Sequence, residues 1–286
     1  MTISPHLVLG RINTLRVDRI TDPGLFLAAG DDKDVLLPNA YVTPEMEVGS
    51  LLDVFLYTDS EDRLVATTLR PKAMLEQYGC FEVVDTNRAG AFVDWGLPKD
   101  LFVPKNAQKT PFEIGEKRIL HVSYDERSHR LIGEEKLTKY LSTRVTGLRQ
   151  GSPVSLLVMA KTPMGYKTIV DHRYEGMIFA NEIFQSVAVG DTLRGYVKSV
   201  RPDGKLDLSL QPIGAAKTDA ASEKVLALLD EAGGMLPYNY KSDAALLQKV
   251  FGLSKKNFKR ALTQLQEAGA IEVKENGIFK TSSDGA

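Results

Sequence analysis

Residues 24–40 read GLFLAAGDDKDVLLPNA and residues 90–107 read GAFVDWGLPKDLFVPKNA, two versions of one phrase. Setting Gly24 on Gly90, an offset of 66 residues, superimposes Phe26 on Phe92, Gly30 on Gly96, Lys33-Asp34 on Lys99-Asp100 and Pro38 on Pro104. Further on, Pro44-x3-Val48-Gly49 falls on Pro111-x2-Ile114-Gly115, and each closing glycine stands 25 residues after its opening one. The same step of 25 leads from Gly165 to Gly190, with EGMIFANEI (175–183) inside the interval and GKLDLSLQP (204–212) after it. That tail parallels DRLVATTLRP (62–71) and HRLIGEEKL (129–137). A threefold repeat therefore has to be settled before any strand or helix is assigned, because it decides the fold.

Each copy holds five short strand-like segments in about 65 to 70 residues, for example FEV, GAFVDW, DLFV, RILHVSY and RLIGEE, separated by turn residues. Five short strands with a glycine at which the chain can bend suit a small closed barrel, which leaves no sheet edge exposed. We expect a mainly β protein of three tandem OB-fold barrels at 1–72, 73–144 and 145–213. After Pro212 the apolar period changes from 2 to 3.6, and 214–221 reads as a linker.

From there the pattern is helical. Ser222 is placed to cap a helix with Val225, Leu226, Leu228 and Leu229 on its core face, ending at Gly233-Gly234. Ser242 is placed to cap a second helix carrying Leu246, Leu247, Val250 and Phe251, closed by Gly252. Ser254 opens a third, whose Phe258, Ala261, Leu262 and Leu265 form one buried stripe, with Lys256, Lys259 and Arg260 on the other side. Gly269 ends it, and IEVKENGIFK (271–280) predicts a hairpin turning at Asn276-Gly277. Three helices and a hairpin at 222–286 make an α+β winged helix, in which the third helix meets nucleic acid.

Composition limits the function. The chain has 286 residues, is 43% hydrophobic and 26% charged, and is long enough for several cores. Its single cysteine, Cys80, excludes an internal disulfide and a four-thiolate metal site. No apolar run reaches the roughly 20 residues of a membrane span, so a cytoplasmic protein without membrane contact is expected. The first 74 residues hold 7 basic against 11 acidic side chains, whereas residues 146–216 hold 8 against 6. A polyanion therefore meets less repulsion at the third barrel than at the first.

The quoted segments resemble the S1 RNA-binding domain. GAFV, EGMIFANEI, VGDTLRGYVKSV and GKLDLSLQ correspond to its four usual elements, spread over the copies so that together they cover about three quarters of the chain. The first copy is the most eroded and the third keeps the most elements. In S1 domains an aromatic of the first element and a histidine of the second stack bases on the outer barrel face. Carried over by position, the first becomes Phe26, Phe92 and Lys167, and the second Leu37, Val103 and Phe179. On this alignment no copy has both platforms. Strand alternation turns Phe92 outward and Ala91, Val93 and Trp95 inward. Candidate backbone cations are Lys198, Arg201 and Lys205 in the third copy and Arg127 and Arg130 in the second.

With the winged helix added, and with PYNYKSD (237–243) and LSKKNFKRAL (253–262) in it, the chain resembles the conserved virulence factor B family of bacterial regulators. The resemblance implies an RNA-binding, post-transcriptional role with no catalytic step. Single-stranded RNA is the expected partner, bound by stacking that tolerates any base, favours unpaired over duplex RNA and leans to pyrimidines. Duplex nucleic acid at Lys256, Lys259 and Arg260, or ribosomal and RNA-degradation proteins, are the alternative partners.

No cofactor or metal is expected. His6, His121, His129 and His172 have no partner at ligand or nucleophile–base spacing, and no phosphate-cradling glycine loop occurs. Asp59, Asp125 and Asp203 recur before the fifth strands, where a turn acid is the ordinary explanation.

Overall fold

The computed structural model describes residues 7–30, 34–183, 185–212 and 215–281, with the backbone alone for 215–219. Lys33 of the repeated Lys-Asp pair, His6 and Gly214 of the expected linker lie outside the described residues. The repeat produces three closed five-stranded barrels. The first is built from β1 (Ile12–Thr21), β2 (Gly24–Ala28), β3 (Asp34–Pro38), β4 (Leu51–Thr58) and β5 (Leu64–Thr67). The second uses β6 (Tyr78–Thr86), β7 (Gly90–Val93), β8 (Leu101–Pro104), β9 (Lys117–Asp125) and β10 (Arg130–Glu134). The third uses β11 (Pro153–Thr162), β12 (Gly165–Val170), β13 (Tyr174–Phe179), β14 (Thr192–Val200) and β15 (Leu206–Ser209). In each, the first three strands form a meander and the fifth strand closes the barrel by running parallel to the third, at Leu36–Val65, Ile132–Phe102 and Ile178–Leu208.

The repeated glycine has a packing cause. A Cβ on Gly24, Gly90 or Gly165 would lie 2.1, 2.2 or 2.0 Å from the carbonyl oxygen of Leu37, Val103 or Ile178. The second and third strands can cross this closely only where one of them has no side chain.

Two compact units can be separated. One is residues 1–141 with the short pieces 157–159 and 188–192, and the other takes in the rest. Within the first unit the two barrels share a core. Phe55, Tyr57 and Val65 of the first pack in one buried cluster with Phe81, Val93, Trp95 and Leu101 of the second. The Trp95 ring meets Phe55 edge-on at 5.5 Å, and its indole N–H donates to the Ala73 carbonyl at 2.6 Å. Trp95 is thus core, as its inward parity requires.

The C-terminal domain contains α1 (Ala215–Glu231), β16 (Met235–Leu236), α2 (Ala244–Phe251), α3 (Lys255–Glu267), β17 (Ile271–Lys274) and β18 (Gly277–Lys280). Four details differ from expectation. Helix α1 begins at Ala215, inside the segment read as linker, so Ser222 is a buried helical residue donating to Gln264 and not a cap. Asp243, not Ser242, caps α2, its carboxylate accepting from the Ala245 and Leu246 amides. On α2 only Leu247 and Phe251 are buried, while Leu246 and Val250 are exposed. The hairpin turns at Glu275-Asn276, because Gly277 already pairs with Lys274. Gly277 is needed for another reason: a Cβ there would lie 2.3 Å from the Leu236 carbonyl of β16, the third strand of this sheet. Ser254 does cap α3, and Phe258, Ala261, Leu262 and Leu265 are its buried stripe.

Candidate nucleic-acid interface

In the second barrel Phe92 on β7 stands opposite Phe102 on β8. Their neighbours Ala91, Val93, Leu101 and Val103 are buried in the barrel, so both phenylalanines point outward and stay half-buried. Their ring centroids lie 5.2 Å apart, tilted by 43°. Together with Tyr57, Trp95, Lys99, Asp100 and Arg130 they line a cavity of about 590 Å³, within the usual range for ligand sites. Arg130 and Lys99 both pair with Asp62, which projects from the β4–β5 turn of the first barrel. Lys99 Nζ also donates to the Asp59 carbonyl at 2.6 Å. Hydrogen bonding from Arg130 holds the Asp62 carboxyl below its ordinary value, and burial pushes the Tyr57 hydroxyl up to about 12.

Strand pairing corrects the positional alignment of the second platform. Gly24 pairs with Pro38, Gly90 with Pro104 and Gly165 with Phe179, so Phe179 corresponds to Pro38 and Pro104. Leu37 and Val103 correspond instead to Ile178, and all three are fully buried. At this corrected second position the copies carry Pro38, Pro104 and Phe179, so still no copy has aromatics at both positions; the second barrel instead carries a further outward ring, Phe102, two residues before Pro104. The signal was present in DLFV, where Leu101 and Val103 take the inward parity and leave Phe102 outside.

The first barrel presents the same outward ring but covers it. A bulge after Val17 puts Arg19 across from Phe26, and the Arg19 guanidinium lies 4.3 Å above the ring. Arg19 Nη1 donates to Asp34 at 2.6 Å and to Asp18 at 3.0 Å. The corresponding bulge after Val83 puts Asp85 across from Phe92. Such bulges re-aim a side chain by inserting one residue.

In the third barrel Phe179 is half-buried on the outer face, and Lys167, exposed, takes the place of Phe26 and Phe92. Each cation expected to meet phosphate there has an acidic partner. Lys198 pairs with Glu182 at 2.5 Å, Arg201 with Asp203 at 3.2 Å and Lys205 with Glu175 at 3.0 Å. Pairs this exposed contribute little and exchange readily. Arg127 is exposed in the β9–β10 turn, where Asp125 accepts from the Arg127 and Ser128 amides. Asp59 and Asp203 accept turn amides in the same way. On α3, Lys256, Lys259 and Arg260 are exposed, and the last two flank a shallow groove with Thr263, Gln264 and Glu267. Among the described residues no group of three or more His, Cys, Asp or Glu could hold a metal ion, and no helix is long and apolar enough to cross a membrane.

OB-type barrels with outward aromatics, followed by a winged helix, define a protein assembled from modules of the nucleic-acid-binding type. A model of the S1 domain matches residues 9–69, the barrel whose motifs are the most eroded, and a model of the CvfB-like winged helix domain matches residues 223–279. "Uncharacterized protein YitL" of Bacillus subtilis is 31% identical over 276 residues, covering 94% of this chain and 92% of that protein. "Conserved virulence factor B" of Staphylococcus epidermidis is 24% identical over 284 residues, covering 96% and 95%. A crystal structure of a multidomain protein with nucleic acid binding domains from Streptococcus pneumoniae aligns with a TM-score of 0.41 at 24% identity, covering 96% of this chain and 98% of that one. The chain belongs to the CvfB family.

Proposed function

We propose that the chain binds single-stranded RNA in the cytoplasm as a post-transcriptional regulator, in keeping with its relatives named as virulence factors. The observation that carries this reading is the outward pair Phe92–Phe102 beside Lys99 and Arg130 in one cavity. An exposed ring gains roughly 1–3 kcal/mol from each stacked base, and neighbouring cations meet the backbone. Phe179, Lys167, Lys198, Arg201 and Lys205 of the third barrel supply separate contacts on the same chain, Arg127 adds one on the second, and Phe26 is held in reserve beneath Arg19. Several weak contacts on one chain add through effective concentration. Lys256, Lys259 and Arg260 of α3 supply a contact to phosphate or duplex.

The test is a fluorescence-anisotropy titration of unstructured RNA, matched single-stranded DNA and duplex DNA at several salt concentrations. RNA is expected to bind with a log–log salt slope of roughly −0.7 per phosphate neutralised. Phe92→Ala and Phe179→Ala should weaken binding with little change in slope, and Arg201→Ala should reduce the slope. Duplex DNA outcompeting RNA would transfer the activity to the winged helix, and no binding even at low salt would leave a protein-docking scaffold.

A further inference from the structure

The first barrel contains a template for what the second should bind. On its outer face Phe26, Arg19 and Asp34 satisfy one another: the guanidinium lies 4.3 Å over the ring and donates to the carboxylate at 2.6 Å. The second barrel keeps two of these three residues. Phe92 takes the place of Phe26, and Asp100, four residues before Pro104, takes that of Asp34, four residues before Pro38. The third is lost, because Asp85 stands across from Phe92 where the first barrel has Arg19.

This leaves a ring and a carboxylate without the planar donor that joins their counterparts. Asp100 has no hydrogen bond or ion pair among the described residues, and burial, followed by Asp94 and Asp85, pushes its carboxyl above the ordinary value. Phe92 and Asp100 both line the cavity. In the third barrel the same position is Glu175, already paired with Lys205, and the ring's place is taken by Lys167. An unpartnered acid in a cleft that also holds Lys99 and Arg130 repels a polyanion unless it recognises something on it.

We propose that this cavity is a guanine pocket for single-stranded RNA, with Phe92 stacking the base and Asp100 accepting hydrogen bonds from its N1–H and 2-amino group. The proposal rests on the RNA-binding reading and names the base. Guanine's ring N1–H, C2 and exocyclic 2-amino group form the same nitrogen–carbon–nitrogen donor unit as the arginine side chain that fills the first barrel. Of the four bases it alone sets two donors side by side on one edge, matching the two oxygens of a carboxylate. Adenine and cytosine place an acceptor nitrogen beside their amino group, and uracil has one N–H between two carbonyls, so each brings a lone pair against Asp100. Lys99 and Arg130 meet the adjoining phosphate by exchanging Asp62 for it, a charge-assisted replacement of like by like.

The test uses the full chain and short unstructured RNAs identical except for guanine, inosine, adenine or cytosine at one central position, followed by fluorescence anisotropy. The wild-type protein is expected to prefer guanine by roughly tenfold, within the discrimination a good bidentate pair supplies. Inosine, lacking the 2-amino group, should fall between guanine and the others. Asp100→Asn, a change at an exposed rim residue checked for folding by circular dichroism, should abolish the preference and move the ranking toward adenine and cytosine, which match one donor beside one acceptor. An equal gain for all four RNAs in Asp100→Asn would reduce Asp100 to a repulsive charge and overturn the proposal. Indifference of the wild-type protein to the central base, with Phe92→Ala still weakening every RNA, would sink the guanine assignment and leave RNA binding standing. Absence of binding to any RNA would sink both, and tighter binding of an arginine-rich peptide would give the pocket to a protein side chain.

Discussion

The first barrel lays its own arginine on Phe26, whereas the second, with Asp85 at the matching position, leaves Phe92 facing Phe102 and an open cavity. Both are closed five-stranded barrels with the same bulge and the same outward parity. A single side chain, placed by that bulge, decides whether the platform is already occupied. Duplicated barrels can therefore diverge in function without any change to their cores, since an outward ring contributes little to the interior that holds the fold. The third barrel departs further, with Lys167 where the ring would be.

The largest effect should come from breaking the joint that holds the two barrels as one block. Trp95→Ala removes an indole that packs on Phe55 and donates to Ala73, and large aromatic truncations of this kind cost about 3–5 kcal/mol. Urea unfolding should show that loss in a single transition for both barrels; two separated transitions would show that the shared core does not couple them.

Exchanging the deciding residue comes next. Asp85→Arg should install in the second barrel the closure seen in the first and weaken RNA binding by about fivefold or more, the loss of one stacked base, although the chain becomes more basic. Tighter binding would mean that charge, and not access to Phe92, governs the site. The reverse change is smaller. Arg19→Ala should uncover Phe26 and raise affinity a few-fold by the same stacking, and Phe26→Ala should then cost affinity in that background while being silent in the wild type.

The smallest effect concerns the turn of the first barrel that reaches the second. Arg130 lowers the Asp62 carboxyl in the folded state, so the pair stabilises the fold above the ordinary carboxylate value of 3.8 and loses that contribution as pH falls below it. Asp62→Asn should therefore lower the urea midpoint slightly at neutral pH and not at all in strong acid. At neutral pH it should also strengthen RNA binding by releasing Arg130 and Lys99.

Much of this was legible without coordinates, and particular residues show where legibility ends. The barrel strands and the outward parity of Phe92 follow from alternation, and the α3 stripe follows from the helical period, because burying one face imposes a period on the chain. The second position was misplaced by one residue, and in a strand that error exchanges the two faces, putting the buried Val103 in the place of Pro104, while the outward Phe102 went unread. Ser222 and Ser242 looked like caps because serine favours that position, but α1 had started seven residues earlier and Asp243 offered the better acceptor.

By itself the amino-acid sequence determined three repeated barrels, the winged helix after them and the inside or outside of most strand positions, since these depend on neighbours along the chain and on hydrophobic period. Only the tertiary structure decided that Arg19 covers Phe26, that Asp62 meets Arg130 across 68 residues, and that Phe92, Phe102 and Asp100 open onto one cavity. Those facts arise where separate strands and separate barrels are brought together in space, and no local pattern in the chain records which distant side chain arrives there.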